Sequence, residues 1–334
     1  MNRPIKFGLV VLLITSLTFL FLKKENISNK QPAVIEDINL PKPVSDTMKM
    51  HLYDLGDVLI SDEPLPLKVY ESQKYKIVII TRLKTKNIFG VIHESGGFGT
   101  GKIIRPGVIL SARHVINQEI REDVKRGRPF SIESNGLLTS PNTSLEVSGI
   151  LINEDSQVFF PLKPLKAGQV DTLMDLVALE IPNDIIKLAK KGWLNEKITG
   201  NPFKPLLHTT EFSPDALVGD TVWVSGIRMT QFSELKYNNL NKNKLEAREG
   251  FLTNIYYNFK GVITKRIENT EFNNEWGVKL IYEIRVNSEF GFSGGDVLDD
   301  QGRMVGTTIL TTEKNNFIWA ISSKDSKLFL KNIR

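Results

Sequence analysis

The chain has no cysteine among its 334 residues. That excludes a disulfide framework, a thiolate nucleophile and any zinc site built on sulfur, although it names no cellular compartment. Histidine is scarce too. His51, His93, His114 and His208 are the only four, and none stands in a His-x-x-x-His pair or a His/Asp cluster, so neither a metal site nor a cofactor is expected. A strong charge of one sign is also missing. Lys and Arg number 43 against 38 Asp and Glu, and the basic residues are scattered instead of striped or interleaved with aromatics. No nucleic-acid partner is expected from such a surface. No repeat is visible, and only one apolar run is long enough to concern a membrane.

That run, from Phe7 to Leu22, is broken only by Gly8, Thr15, Ser16 and Thr18, with Arg3 and Lys6 before it and Lys23 and Lys24 after it. As a helix it reaches about 24 Å, short of a hydrocarbon core of roughly 30 Å unless the flanking lysines snorkel. Residues 1–24 are read as a membrane anchor, an N-terminal transmembrane helix with the rest of the chain extracytoplasmic, periplasmic or at the cell surface. The alternative is a signal segment and secretion after its cleavage. No small-x-small cleavage site follows Leu22 closely. Residues 25–70 read as tether and lead-in: Pro32, Pro41 and Pro43 favour extended backbone, and apolar residues return after Met48.

From Tyr75 the pattern is short β-rich runs: YKIVIITRL, NIFGVIHE, GKII, GVILSA, EVSGILIN, QVFF and DLVALEI. Gly96, Gly97, Gly107, Asn135 and Gly136 supply turns between them. A helix-like stretch from Asp184, DIIKLAKKGW, interrupts the strands, which resume as TVWVSGI, FLTNIYYNF, GVITKRI, VKLIYEIRV, MVGTTIL and FIWAI. Residues 233–249, crowded with Asn, Lys and Glu, read as a solvated loop. The closing segment SSKDSKLFLKNIR has Ser and Asp at its start and basic residues at its end, as a capped helix requires.

Three residues in this β-rich body carry chemistry. Gly291–Gly295 spells GFSGG, a serine among glycines, which suits an exposed nucleophile flanked by free backbone N–H groups. His114 closes the apolar run VILSARHVI, and Asp175 opens DLVALEI. Asp171 stands close enough to compete with Asp175. Each has a plainer reading as a glycine turn, a structural histidine or a strand-capping carboxylate.

Six stretches, FGTGKII from Phe98, LSARHVI from Leu110, DLVALEI from Asp175, VGDTVWVSG from Val218, GFSGGDVLDDQGRMVGTTI from Gly291 and FIWAIS from Phe317, occur in one order across residues 72–323. In that order they resemble the trypsin-like (chymotrypsin-fold) serine peptidases, especially the bacterial ones without disulfides. The resemblance implies an all-β fold: two antiparallel six-stranded β-barrels with a C-terminal helix. The boundaries expected are 71–185 for the first barrel, 186–206 for the inter-barrel connection, 207–322 for the second barrel and 323–334 for the helix. It implies a serine endopeptidase in which Ser293 attacks a peptide carbonyl, His114 carries the proton and Asp175 orients the imidazole. Backbone N–H groups of Gly291 and Ser293 would form the oxyanion hole, and Asn287, Ser288 and Phe290 would line the substrate pocket. The partner is then a protein or peptide substrate. The competing function is a catalytically silent trypsin-like module that binds a protein partner.

The chain departs from the family at several points. Phe292 precedes the serine where the digestive enzymes carry Asp, Asp296 follows the glycine pair where Pro is usual, and Arg113 precedes His114 where Ala is usual. Asn287 at the pocket base offers only neutral hydrogen bonds, so no strong preference for basic side chains is expected. Gly96, Gly101 and Lys102 imitate the start of a phosphate-binding loop, but Ile103 follows where Ser or Thr is needed, and a strand follows where a helix is needed.

Overall fold

A computed structural model describes residues 65–86, 89–117, 120, 130–141, 143–153, 156–168, 174–192, 200–227, 246–249, 256–268, 278–286, 292–312 and 316–333. The expected anchor at residues 7–22, the pocket residues Asn287, Ser288 and Phe290, and Gly291 lie outside them, as does Asp171. Among the described residues no helix is long and apolar enough to cross a membrane.

The first barrel is built from β1 (Lys76–Lys86), β2 (Ile92–Arg105), β3 (Val108–Ala112), β6 (Thr143–Asn153), β7 (Ser156–Ala167) and β8 (Leu176–Glu180). Its order is β7-β6-β1-β2-β3-β8, closed by pairing of β7 with β8. A two-stranded hairpin of β4 (Ser131–Ile132) and β5 (Leu138–Thr139) stands beside it, turning through Gly136. The second barrel closes in the order β11-β12-β15-β14-β13-β9. Its strands are β9 (Thr221–Ile227), β11 (Tyr256–Glu268), β12 (Leu280–Arg285), β13 (Asp296–Leu298), β14 (Met304–Thr312) and β15 (Phe317–Ser322). Every strand pair in both barrels is antiparallel.

Strand alternation explains why the sequence shows continuous apolar runs instead of a period of two. In β1, Ile77 and Ile79 point into the first barrel, while Val78 and Ile80 pack outward with Ile150, Ile152, Phe159 and Ile227. In β3 and β8, Ile109, Val177 and Leu179 face the barrel interior. Their neighbours Val108, Leu110, Leu176 and Ala178 face Trp223, Leu298, Met304 and Ile321 of the second barrel. Strands covered on both faces lose their polar positions. The two strands that lead into His114 and out of Asp175 are therefore the ones pressed against the other barrel.

Short helices close the gaps. Helix α1 (Leu67–Ser72) precedes the first barrel and buries Val69 in the inter-barrel core. Helix α2 (Asn183–Lys191) leaves the first barrel after Pro182, sets Ile185, Ile186 and Ala189 on its core and stops at Gly192, whose φ is 86°. The C-terminal helix α3 (Ser323–Leu330) is capped by Ser322, whose hydroxyl accepts from Asp325 N–H, and it buries Phe329 and Leu330 between the barrels.

Two local expectations change. Gly96 and Gly97, read as turn residues, lie inside β2 in continuous register with Arg82 and Thr81 of β1, and a side chain at Gly97 would come within 3.2 Å of Thr81 Oγ1. Residues 246–249, read as solvated loop, form strand β10 (Glu246–Glu249) against β7. The edge of β7 opposite β6 is paired with β8 only from Lys163 onward, and β10 pairs with the remaining open stretch, Ser156–Phe159.

Candidate active site

His114 follows β3 directly and opens a helical turn, and Asp175 lies immediately before β8. Because β3 and β8 pair with Ala112 opposite Leu176, the two residues arrive at the same end of adjacent strands. Arg113 N donates to Asp175 O at 3.1 Å and continues the ladder by one step. The Asp175 carboxylate then serves His114 twice. Its Oδ2 lies 2.5 Å from Nδ1 of the imidazole, and its Oδ1 accepts the His114 backbone N–H at 3.0 Å. With both oxygens engaged, rotation of the carboxylate is blocked, and a proton on Nδ1 is favoured, which leaves Nε2 free to accept. The side chains are 20 % and 16 % exposed, so the pair is accessible to a substrate but largely shielded from water.

Arg113, an oddity in the sequence, is engaged on the side of Gly168 and Asp175. The buried guanidinium donates to Gly168 O at 2.9 Å and lies 3.8 Å from Asp175 Oδ1.

Ser293 comes from the second barrel, on the turn that leads into β13. Its carbonyl oxygen accepts from Thr100 N at 2.9 Å, which ties the turn to β2 of the first barrel. Gly294 N donates to Thr308 O at 2.8 Å, and Gly295 N to Phe292 O at 2.8 Å, so the turn is also fixed to its own barrel. Gly294 has φ of 79°, and a Cβ there would fall 2.1 Å from Ser111 Oγ and 2.8 Å from Ala112 N. Only glycine lets the serine turn approach the strand end that carries His114 so closely. Gly99 works from the other side: a side chain on it would strike Val115 at 2.5 Å and Ser293 O at 2.9 Å.

The structure thus joins His114 to Asp175 by hydrogen bonds and docks the Ser293 turn on the strand leading to His114. No hydrogen bond links Ser293 Oγ with the imidazole among the described residues. Serine-to-histidine contacts of this kind commonly tighten only when substrate arrives.

Phe292 is fully buried in the core of the second barrel, 5.5 Å from the Phe259 ring, against Gly226. It anchors the turn by packing. Asp296, noticed in the sequence only as a replacement for proline, is fully buried and faces two buried lysines: Lys102 Nζ at 2.8 Å and Lys76 Nζ at 3.4 Å. Burial alone would raise this carboxyl, but Lys102 and then Lys76 outweigh it and hold it below the ordinary range. Burial, partly offset by Asp296, lowers the Lys76 ammonium from 10.5 to about 7. Sequence reasoning passed over this trio, although lysines inside the apolar runs KIVII and GKII were a signal that an anion must lie nearby.

No group of His, Asp and Glu that could hold a metal is found among the described residues. No protein-family model matches the sequence, and comparison with curated proteins gives no match. Among solved structures, the chain is similar to the Rv3671c protease from M. tuberculosis in its active form, at 14% identity and a TM-score of 0.44, over 80% of this chain and 84% of that one. It is similar to the inactive form of the same protease at 13% identity and a TM-score of 0.42, over 80% and 93%. A Ser343Ala mutant of that protease gives 12% identity and a TM-score of 0.43, over 80% and 90%.

Proposed function

We propose that the protein is a serine endopeptidase that hydrolyses peptide bonds through Ser293, His114 and Asp175 and is tethered to a membrane by residues 7–22. The observation that supports this reading most strongly is the two-point hold of Asp175 on His114, at Nδ1 and at the backbone N–H, beside a serine turn hydrogen-bonded to β2 and packed closely on the end of β3. A structural histidine needs one partner; fixing both the ring and the main chain serves a base whose direction matters.

In the proposed mechanism His114 Nε2 takes the proton of Ser293 Oγ as the oxygen attacks the scissile carbonyl. The resulting imidazolium lies against the Asp175 carboxylate, which stabilises its charge without accepting the proton. Backbone N–H groups of Gly291 and Ser293 receive the oxyanion, a contribution of about 3 to 4 kcal/mol per donor in comparable sites. Nε2–H then protonates the leaving amine, and water, deprotonated by the same nitrogen, releases the acyl group from Ser293. The substrate is a protein or peptide with an uncharged side chain at the pocket, met on the extracytoplasmic side of the membrane.

The test is hydrolysis of a mixed peptide library by the full chain and by Ser293→Ala and His114→Ala. Cleavage by the wild type, abolished in both variants, is expected. Folded wild-type protein that cleaves nothing would instead leave a binding module, and variants that cleave equally well would overturn the roles of Ser293 and His114. For the tether, protease added to intact cells is expected to digest residues 65–334, and full protection contradicts that orientation.

A further inference from the structure

Beside the proposed triad lies a second charged cluster, which peptide hydrolysis as written does not use. Lys76, Lys102 and Asp296 have side chains that are 0 %, 2 % and 0 % exposed. Lys76 and Lys102 stand directly opposite each other in the pairing of β1 with β2. Like charges placed that way repel, so the arrangement requires an anion between them. The anion does not come from the first barrel. Asp296 opens β13 of the second, three residues after Ser293, with its backbone paired to Ser225 and Thr307.

Strand β2 therefore holds the serine turn at two points. Thr100 N binds Ser293 O at 2.9 Å, and two residues along, Lys102 Nζ binds Asp296 Oδ2 at 2.8 Å. Helix α1 completes the enclosure. Ser72 O accepts from Lys102 Nζ at 3.0 Å, and Ser72 Oγ from Lys76 Nζ at 3.4 Å. The Tyr75 ring centroid lies 5.8 Å from Lys102 Nζ, and His208 is stacked on Tyr75. A buried ion trio is a poor way to gain stability, since well-packed apolar residues commonly do as well or better. What it provides is direction, because a carboxylate held between two fixed lysine amines has one position.

We propose that Asp296, gripped by Lys76 and Lys102 across the barrel interface, is a positioning residue that sets the Ser293 turn at the depth and angle the attack requires. This rests on the reading of Ser293 as nucleophile. Phe292 fixes the turn in the second barrel, and the ion trio fixes it to the first. Loss of the trio leaves the fold and the substrate cleft in place but lets the serine drift relative to His114.

Lys102→Met, which leaves Asp296 paired with Lys76, and the triple variant Lys76→Met/Lys102→Met/Asp296→Asn, in which no buried charge of the trio remains, separate positioning from stability. Both are compared with the wild-type full chain by melting temperature, by kcat and KM on a cleaved peptide, and by the rate of fluorophosphonate labelling. The expected result is a folded protein with KM unchanged and kcat and labelling rate each reduced about 100-fold, the scale on which small misplacements of reacting groups are felt. Restoration of stability in the triple variant without restoration of kcat is the signature of positioning. Wild-type kcat and labelling in either folded variant overturns the proposal and leaves the peptidase reading intact. Absence of labelling and cleavage in the wild type itself overturns both.

Discussion

Replacing Asp175 by asparagine keeps the size of the side chain and changes only what its two terminal atoms offer. In the native protein both are acceptors: Oδ2 faces His114 Nδ1 at 2.5 Å, and Oδ1 faces the His114 N–H at 3.0 Å with Arg113 Nε at 3.8 Å. An amide has one acceptor and one donor. If its oxygen turns to Nδ1, its NH2 group confronts the backbone N–H and the Arg113 guanidinium, leaving donors unpaired at about 1 to 3 kcal/mol. If its oxygen turns to the backbone N–H, that cost is avoided, but NH2 then faces Nδ1. The imidazole proton moves to Nε2, where it blocks acceptance from Ser293. The second arrangement is the cheaper, so the wrong tautomer dominates, and the charge that stabilises imidazolium is lost as well. The combined loss expected is about 10^4 in kcat, or roughly 5.5 kcal/mol of transition-state stabilisation, with KM little changed. Steady-state kinetics on a cleaved peptide, with the melting transition recorded in parallel, measures it. A loss of less than about tenfold in folded Asp175→Asn means that the carboxylate does not orient the base.

Three further outcomes are expected, two from the structure and one from the sequence. A Cβ on Gly226 falls 2.7 Å from Phe292 Cα and 2.8 Å from its Cγ, so Gly226→Ala is expected to lower stability by about 1 to 3 kcal/mol in chemical denaturation and to slow fluorophosphonate labelling by shifting the residue before Ser293. Burial first, then the nearby Lys102, lowers His208 from 6.5 to about 4. The native state thus stays neutral where the unfolded chain takes up a proton, and His208 costs stability as pH falls from 6.5 toward about 4. His208→Phe, which keeps a ring to stack on Tyr75, is expected to flatten that part of the stability profile; an unchanged acid slope contradicts the assignment. Finally, the peptide library is expected to be cut mainly after uncharged residues, because Asn287 carries no charge, and dominant cleavage after Arg or Lys refutes that.

The β-rich body and its helices were legible because local chemistry and tertiary context agree there. Gly107 and Gly136 turn with φ of 88° and 84°, Ser322 caps α3, and Gly192 ends α2. The apolar runs beside His114 and Asp175 marked two buried strands, but that the two residues meet was implied only by the family resemblance, since burial alone does not say which strands are neighbours. What escaped the sequence depends on partners far along the chain. Gly96 and Gly97 look like a turn until Thr81 is seen on the neighbouring strand, and residues 246–249 look solvated until the open edge of β7 is placed beside them. The ion trio was hidden for the same reason: the lysines inside two apolar runs signal a buried anion, but which anion it is appears only when two strands of one barrel meet the first residue of a strand in the other.

The central claim is that Ser293 is a nucleophile activated by His114. It is tested most directly by treating the folded full-length protein with a fluorophosphonate, digesting it and locating the adduct by mass spectrometry. A single adduct on Ser293, absent from the His114→Ala protein, is predicted; an adduct elsewhere, no adduct, or equal labelling without the imidazole contradicts the account.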